Sequence, residues 1–141
     1  MKGQYKIVLE VMFIFIGILI TTYVLITFRS LNTSIDTISV EDNFNAVANN
    51  AVIAVLKVST NNNSIVRFSV PDKISNHVYK IVLDDENGQV VVVSTKDSRI
   101  NVTRQIFNIT ADRIIRSEVI SSSVNIEAVN SGGFVKIRRP L

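Results

Sequence analysis

The 141-residue chain contains no cysteine, no tryptophan, two prolines and one histidine. The absence of cysteine excludes a disulfide framework and a thiolate metal site, so the fold must depend on its hydrophobic core. A single histidine, His77, excludes a cluster of histidine ligands, and we expect it to be structural or merely exposed. No nucleophile–base pair or metal-ligand set can be named. We therefore expect no enzyme activity, no metal, no cofactor and no small-molecule substrate.

Charge is also low, with a formal net charge of +3. The basic residues are scattered and are not interleaved with exposed aromatics, which argues against a nucleic-acid partner. The acidic string DDENG at 84–88 lacks the alternating oxygens and distal glutamate of a calcium loop, and we expect a solvated turn. Arg138 and Arg139 end the last strand, where they either keep an edge soluble or contact an anion.

A long apolar run is the strongest feature of the sequence. Residues 7–28 form a stretch of about 22 residues, and roughly 20 suffice to cross a bilayer as a helix. Lys2, Lys6 and the amino terminus precede the run, whereas Arg29 is followed by several acidic residues, which predicts a cytoplasmic N-terminus and an extracellular C-terminal domain. The run lacks a convincing small-x-small cleavage site. We therefore expect a retained single-pass anchor in the cell membrane, in contact with lipid.

Glu10 is the only charged residue inside the apolar run. It lies about one turn from the start, where a carboxylate costs less than at the bilayer centre. One interpretation is that Glu10 reaches the headgroups or binds Lys6, its i−4 neighbour. The other is that Glu10 is a charge-pairing group for assembly.

Helical periodicity continues beyond the membrane run. An amphipathic stripe predicts a second half of the helix, with apolar positions at Phe44, Val47, Ala48, Ala51, Val52, Val55 and Leu56. Leu31, Ile35 and Ile38 form another stripe that is out of phase with it. Because Ser39 stands three residues before Asp42 like an N-cap, we expect a kink or short break between Asp36 and Asp42.

From Ser64 onward the pattern changes to half-alternating runs rich in valine and isoleucine. Six segments predict strands or strand pairs, at 64–70, 77–83, 89–95, 99–109, 119–129 and 133–139. Asn87-Gly88 and Ser131-Gly132-Gly133 predict hairpin turns, because these residues accept positive φ. We expect Val52, Val55 and Leu56 to be buried against strand side chains at Phe68, Tyr79, Ile81, Val91 and Val93.

These segments predict an α+β fold: a long N-terminal helix, half membrane-spanning and half amphipathic, packed on a C-terminal antiparallel β-sheet or β-sandwich. The expected organisation is a cytoplasmic leader at 1–6, a transmembrane helix at 7–28, an extracellular helical stalk and amphipathic helix at 29–60, and a β domain at 61–141. Four Asn-x-Ser/Thr sequons, only mildly more than chance, are candidate glycosylation sites on the predicted outer side, at Asn32, Asn62, Asn101 and Asn108.

This layout resembles a type IV pilin. The start MKGQ is similar to archaeal class III prepilin leaders, and the segments VPDKISNHVYKIVL and GFVKIRR resemble small archaeal pilin-like envelope proteins. The resemblance implies that a prepilin peptidase cuts between Gly3 and Gln4, and that a glutamate pairs with a neighbouring subunit's new amino terminus during filament assembly. Its implied partners are other copies or related subunits, bound through the N-terminal helix.

The position of Glu10 refines this expectation. In the family, the glutamate is the fifth mature residue, whereas a cut after Gly3 makes Glu10 the seventh; a cut after Tyr5, which is not a small residue, would make it the fifth. The spacing favours a minor or accessory subunit over a bulk filament subunit. The alternative is a permanently anchored extracellular β domain that binds another envelope component, similar to accessory stator subunits of the archaeal motility filament.

Overall fold

The structure is a computed structural model that describes the backbone of residues 2–140 and the side chains of residues 5–140. It contains one long helix followed by seven strands, as the α+β prediction requires. Its elements are α1 (Lys2–Ser59), β1 (Ile65–Ser69), β2 (Tyr79–Asp84), β3 (Gln89–Ser94), β4 (Asn101–Gln105), a 3₁₀ turn (Ala111–Arg113), β5 (Ser117–Ile120), β6 (Asn125–Ser131) and β7 (Phe134–Arg138). Two compact units divide the chain between Ile38 and Ser39.

The second unit contains the C-terminal part of α1, whose apolar stripe is buried. Its fully or nearly buried side chains are Val40, Phe44, Val47, Ala48, Ala51, Ala54, Val55 and Val58. Val52 and Leu56 are half-buried and pack against the same core. The predicted stripe is therefore confirmed, except that Val52 and Leu56 are half-buried where burial was expected, and the buried stripe extends from Val40 to Val58.

Of the predicted kink or short break between Asp36 and Asp42, the break is wrong, because α1 is helical without interruption through these residues. Ser39 does not cap a new helix. Its carbonyl oxygen accepts a hydrogen bond from Asn43 Nδ2 at 2.8 Å within the continuing helix. The out-of-phase stripe needs no break, since Leu31, Ile35 and Ile38 are exposed and do not join the core stripe.

The strands form two antiparallel sheets, with the orders β1-β6-β7 and β4-β3-β2-β5. The predicted segment 119–129 is a strand pair, β5 and β6, which belong to different sheets. A parallel bridge between Ile114 and Val135 joins the sheets where β5 and β7 approach each other. Ser117 Oγ accepts a hydrogen bond from the Ile137 amide at 3.0 Å at the same junction. Both sheets contribute to the core cluster that includes the helix.

Both predicted hairpin turns are present, but their loops differ in length. Ser131 pairs with Phe134, which leaves the two-residue loop Gly132-Gly133 with φ of 62° and 90°. Such a hairpin requires positive φ at both positions, so glycine is needed there. The β2–β3 loop is longer, because Asp84 pairs with Gln89. In that loop only Gly88 has positive φ, at 61°.

The predicted burial of Val91 and Val93 is wrong by one residue. Val90 and Val92 are buried, whereas Val91 and Val93 are half-buried on the opposite face of β3. An unbroken valine run carries no alternation, and a shift of one residue exchanges the two faces of a strand. Pairing with β2 determines which valines face the core, because Val92 and Val90 lie opposite the buried residues Ile81 and Leu83. The predicted burial of Tyr79 and Ile81 is confirmed, while Phe68 is half-buried.

Candidate functional site: an exposed apolar helix

The first unit is a helical segment whose side chains are exposed on every face. All described side chains from Tyr5 to Ser39 are exposed, from 43% at Leu9 to 75% at Tyr5 among the large apolar ones. Within the described residues, α1 is the one helix that is long and apolar enough to cross a membrane. Contiguous exposed apolar surface of this extent is typical of sites that contact a membrane or another protein.

Hydroxyl groups in the apolar segment are satisfied within the helix itself. Thr21 Oγ1 donates to the carbonyl oxygen of Gly17 at 2.8 Å, and Thr22 Oγ1 to that of Ile18 at 2.8 Å. Thr27 Oγ1 makes the same type of bond at 2.9 Å. A polar group in hydrocarbon is costly unless it is hydrogen-bonded. These threonines therefore remain compatible with the bilayer interior.

Glu10 is exposed on this helix. Among the described residues, no ion pair joins its carboxylate to Lys6, so the predicted i−4 pair is not formed. The carboxylate is therefore free to bind water, headgroups or a cation from another chain. Gly3 and Gln4 have helical backbone, but their side chains, like the processing prediction itself, lie outside the described residues.

Residues 29–39 continue the helix with mainly polar side chains. Thr33, Ser34 and Thr37 donate to carbonyl oxygens one turn earlier at 2.9 to 3.0 Å. Leu31, Ile35 and Ile38 are 54%, 61% and 60% exposed. Three large apolar side chains at helical spacing on a polar segment are typical of a helix that packs against another helix.

The sequence analysis missed a buried carboxylate in the second unit. Glu127 on β6 lies between Arg67 and Arg138 in the register of the three-stranded sheet. Arg67 Nε donates to Glu127 Oε1 at 2.8 Å and Arg138 Nε to Oε2 at 3.2 Å. The hydrogen bond from Arg67, together with that from Arg138, holds the pKa of Glu127 below its ordinary value despite burial. Arg138 therefore does more than keep an edge strand soluble.

The four sequons are accessible. Asn32 lies in α1, Asn62 in the turn after it, and Asn101 begins β4; all are exposed, as is Asn108. Asn108 has φ of 67°, which asparagine tolerates better than most residues. Asn101 Nδ2 donates to the Ser98 carbonyl oxygen at 2.9 Å. All four asparagine side chains therefore lie at the surface of the described part of the chain.

The remaining polar candidates have structural environments. His77 Nδ1 lies 3.1 Å from Ser94 Oγ beside a tight turn. Asp84 accepts hydrogen bonds from Asn87 Nδ2 at 2.9 Å and Gln89 Nε2 at 3.1 Å, and the former most strongly lowers its pKa. The described residues contain no group of three histidine, aspartate or glutamate side chains placed to hold a metal ion.

No known family model matches the chain, and no curated protein or solved structure is significantly similar to it.

Proposed function

We propose that this chain is a pilin-like cell-surface protein, a minor or accessory subunit of an archaeal type IV pilus-like system. In this proposal, residues 7–28 cross the cell membrane with the N-terminus in the cytoplasm, and the second unit lies outside. The N-terminal helix then packs with the helices of other copies or related subunits. A prepilin peptidase removes Met1 to Gly3.

The proposal rests on the difference in side-chain burial between the two parts of α1. Side chains from Val40 to Val58 bury an apolar stripe in a folded domain, whereas every described side chain before Val40 is exposed. The helix therefore has a part with its own core and a part that is stable only in lipid or against other helices. The internally bonded threonines fit both environments.

Glu10 supplies the assembly chemistry in this proposal. An unpaired carboxylate inside the bilayer is unfavourable, so it must reach the interface or meet a cation. Removal of the leader creates an amino terminus at Gln4, six residues and therefore about 9 Å along the helix from Glu10. A neighbouring subunit that is shifted by about that distance along the membrane normal brings its amine to the depth of the carboxylate. The amine of one subunit can thus neutralise the carboxylate of its neighbour.

A second candidate is a permanently anchored domain that binds another envelope component. The position of Glu10 favours it: after a cut that follows Gly3, Glu10 is the seventh residue, whereas the pilin glutamate is the fifth. In that case the leader remains, Glu10 is an interfacial residue, and the chain does not polymerise.

The intact mass of the native protein tests the proposal without knowledge of the partner. We expect a mature chain that begins at Gln4, with extra mass only from any glycans. The Glu10→Gln variant should insert into the membrane normally but enter complexes or filaments less efficiently. Asp36→Gln is the matched control, since it removes an exposed carboxylate outside the apolar run. Retention of Met1 to Gly3 together with normal assembly of Glu10→Gln would favour the second candidate.

A further inference from the structure

The outer surface of the three-stranded sheet carries three cations around one buried carboxylate. Arg67, Glu127 and Arg138 lie in one row across β1, β6 and β7. Lys136 lies on the same face as Arg138, because side chains two apart in a strand share a face. We call Arg67, Lys136 and Arg138 the basic face; with Glu127, it has a net charge of +2.

Glu127 orients the basic face. Its side chain is only 2% exposed, whereas those of Arg67 and Arg138 are 75% and 35% exposed. Each arginine uses Nε to bind the carboxylate, and the described residues make no further hydrogen bond to the Nη atoms. The terminal nitrogens are thus held by a fixed anchor and remain available to an outside carboxylate.

The loop between β2 and β3 carries acidic side chains, whose charge is opposite to that of the basic face. Asp84 is occupied within its own turn by the Asn87 and Gln89 side chains and the Glu86 amide. Asp85 and Glu86 form no ion pair with any described residue. We call these two residues the acidic tip; it has a charge of −2, equal and opposite to the net charge of the basic face.

We propose that the acidic tip of one copy binds the basic face of a second copy. The charges match, both surfaces belong to the same folded unit, and neither is neutralised within the described chain. Because the two patches differ, the contact is heterologous, and it links copies either into a closed ring or into an open series. This inference rests on the part of the proposed function in which the N-terminal helix packs with the helices of other copies of this chain.

The contact sets the spacing of subunits and does not drive their association. Exposed ion pairs are weak, and they do not by themselves offset the entropy lost on binding. Copies already held together by their helices meet at a high effective concentration, where weak contacts become occupied. Such a contact must be sensitive to salt, because exposed charges are screened.

Cysteine cross-linking of the full chain in membranes tests the proposal directly, because the chain has no native cysteine. Ile65 is 53% exposed and shares a row with Val129 and Lys136, so Ile65→Cys marks the basic face without removing a cation. Gln105 is exposed and donates from Nε2 to the Asn87 carbonyl oxygen at 2.9 Å, so Gln105→Cys marks a position beside the acidic tip and leaves both Asp85 and Glu86 in place. The two changes are placed in one chain, and products between copies are measured with a short bismaleimide.

We expect a cross-linked product that decreases at least about fivefold from low to 0.5 M salt, as screening predicts. Lys136→Glu should abolish it, whereas Lys136→Arg should retain it. Ser122→Cys replaces Ile65→Cys in the control pair, since Ser122 is exposed in the β5–β6 turn and lies outside the three strands that carry the basic face. Equal cross-linking by the control pair, or a product insensitive to salt and to Lys136→Glu, would overturn the inference.

A separate variant, Ile35→Cys, reports whether the N-terminal helices of two copies meet. If Ile35→Cys cross-links while Ile65→Cys with Gln105→Cys does not, the helices assemble but the tip-to-face contact is wrong. If neither cross-links, the proposed assembly fails, and this inference fails with it. Binding of a soluble anionic polysaccharide to the basic face without the tip-to-face product would assign the face to a different partner.

Discussion

The ring of Phe44 on α1 lies 5.2 Å from the ring of Tyr79 on β2, with the two planes inclined by 48°. Both side chains are fully buried. This aromatic pair joins the C-terminal part of the helix to the four-stranded sheet. Tyr79 also donates from its hydroxyl group to the Pro71 carbonyl oxygen at 2.6 Å, which fixes the loop between β1 and β2.

The first prediction concerns this contact. Phe44→Ala should lower the free energy of unfolding by about 3 to 5 kcal/mol, because it removes a buried aromatic side chain and leaves a cavity. Phe134→Ala is the matched control, since Phe134 is 49% exposed, and we expect a change within about 0.5 kcal/mol. Chemical unfolding of the full chain in detergent measures both. Equal effects would show that the helix does not pack on the sheet through Phe44.

The second prediction is that the stability of the folded state depends on pH in the alkaline range, because of Tyr79. Burial, with a smaller contribution from the Asp72 charge, raises the pKa of Tyr79 from 10.0 to about 12. The folded state therefore favours the neutral phenol. Its contribution to stability is complete below pH 10 and is lost as the pH rises through about 12. The melting temperature should fall across this window.

Tyr79→Phe should flatten that alkaline decrease, because it removes the ionisable group, although it also removes the hydrogen bond to Pro71. Tyr23→Phe is the control; Tyr23 is 73% exposed on the apolar helix. Melting curves from pH 8 to 12 would contradict the assignment if both variants kept the decrease of the unchanged chain.

The third prediction concerns Glu127 at the acidic end. Its two arginine partners hold its pKa below the ordinary value of 4.5. The stabilising contribution is therefore present above about pH 4.5 and is lost as the pH falls through the lowered pKa. Glu127→Gln should reduce stability at neutral pH, since it leaves two arginines facing a neutral amide, and it should weaken the acid dependence.

Glu118→Gln provides the comparison for Glu127→Gln. Glu118 pairs with Lys80 at 3.2 Å, but its side chain is 64% exposed, and exposed pairs contribute little. We expect Glu118→Gln to leave the melting temperature nearly unchanged between pH 3 and 7. If the two variants shift it equally, Glu127 does not act as a buried anchor.

Sequence patterns predicted the elements well where periodicity was strong. The long helix and all the strand segments are present, because a 3.6-residue period marks the helix and runs rich in β-branched residues between turn residues mark the strands. The phase of β3 was not predictable from its valine run. Only pairing with Ile81 and Leu83 determines which valines are buried.

The candidate sites were harder to predict from the sequence than the secondary structure. The break near Ser39 was inferred from two stripes out of phase, but a helix can carry one stripe for its own core and another for a different environment. Glu127 gave no local signal, because its partners Arg67 and Arg138 meet it only through strand pairing.

The central claim is that α1 crosses the membrane and places the folded unit outside the cell. Ser122→Cys gives a single exposed thiol in that unit. A membrane-impermeant maleimide should label it to the same extent in intact and in lysed cells, while a cytoplasmic protein with an exposed thiol reacts only after lysis. Labelling of Ser122→Cys only after lysis would place the folded unit inside the cell and contradict the account.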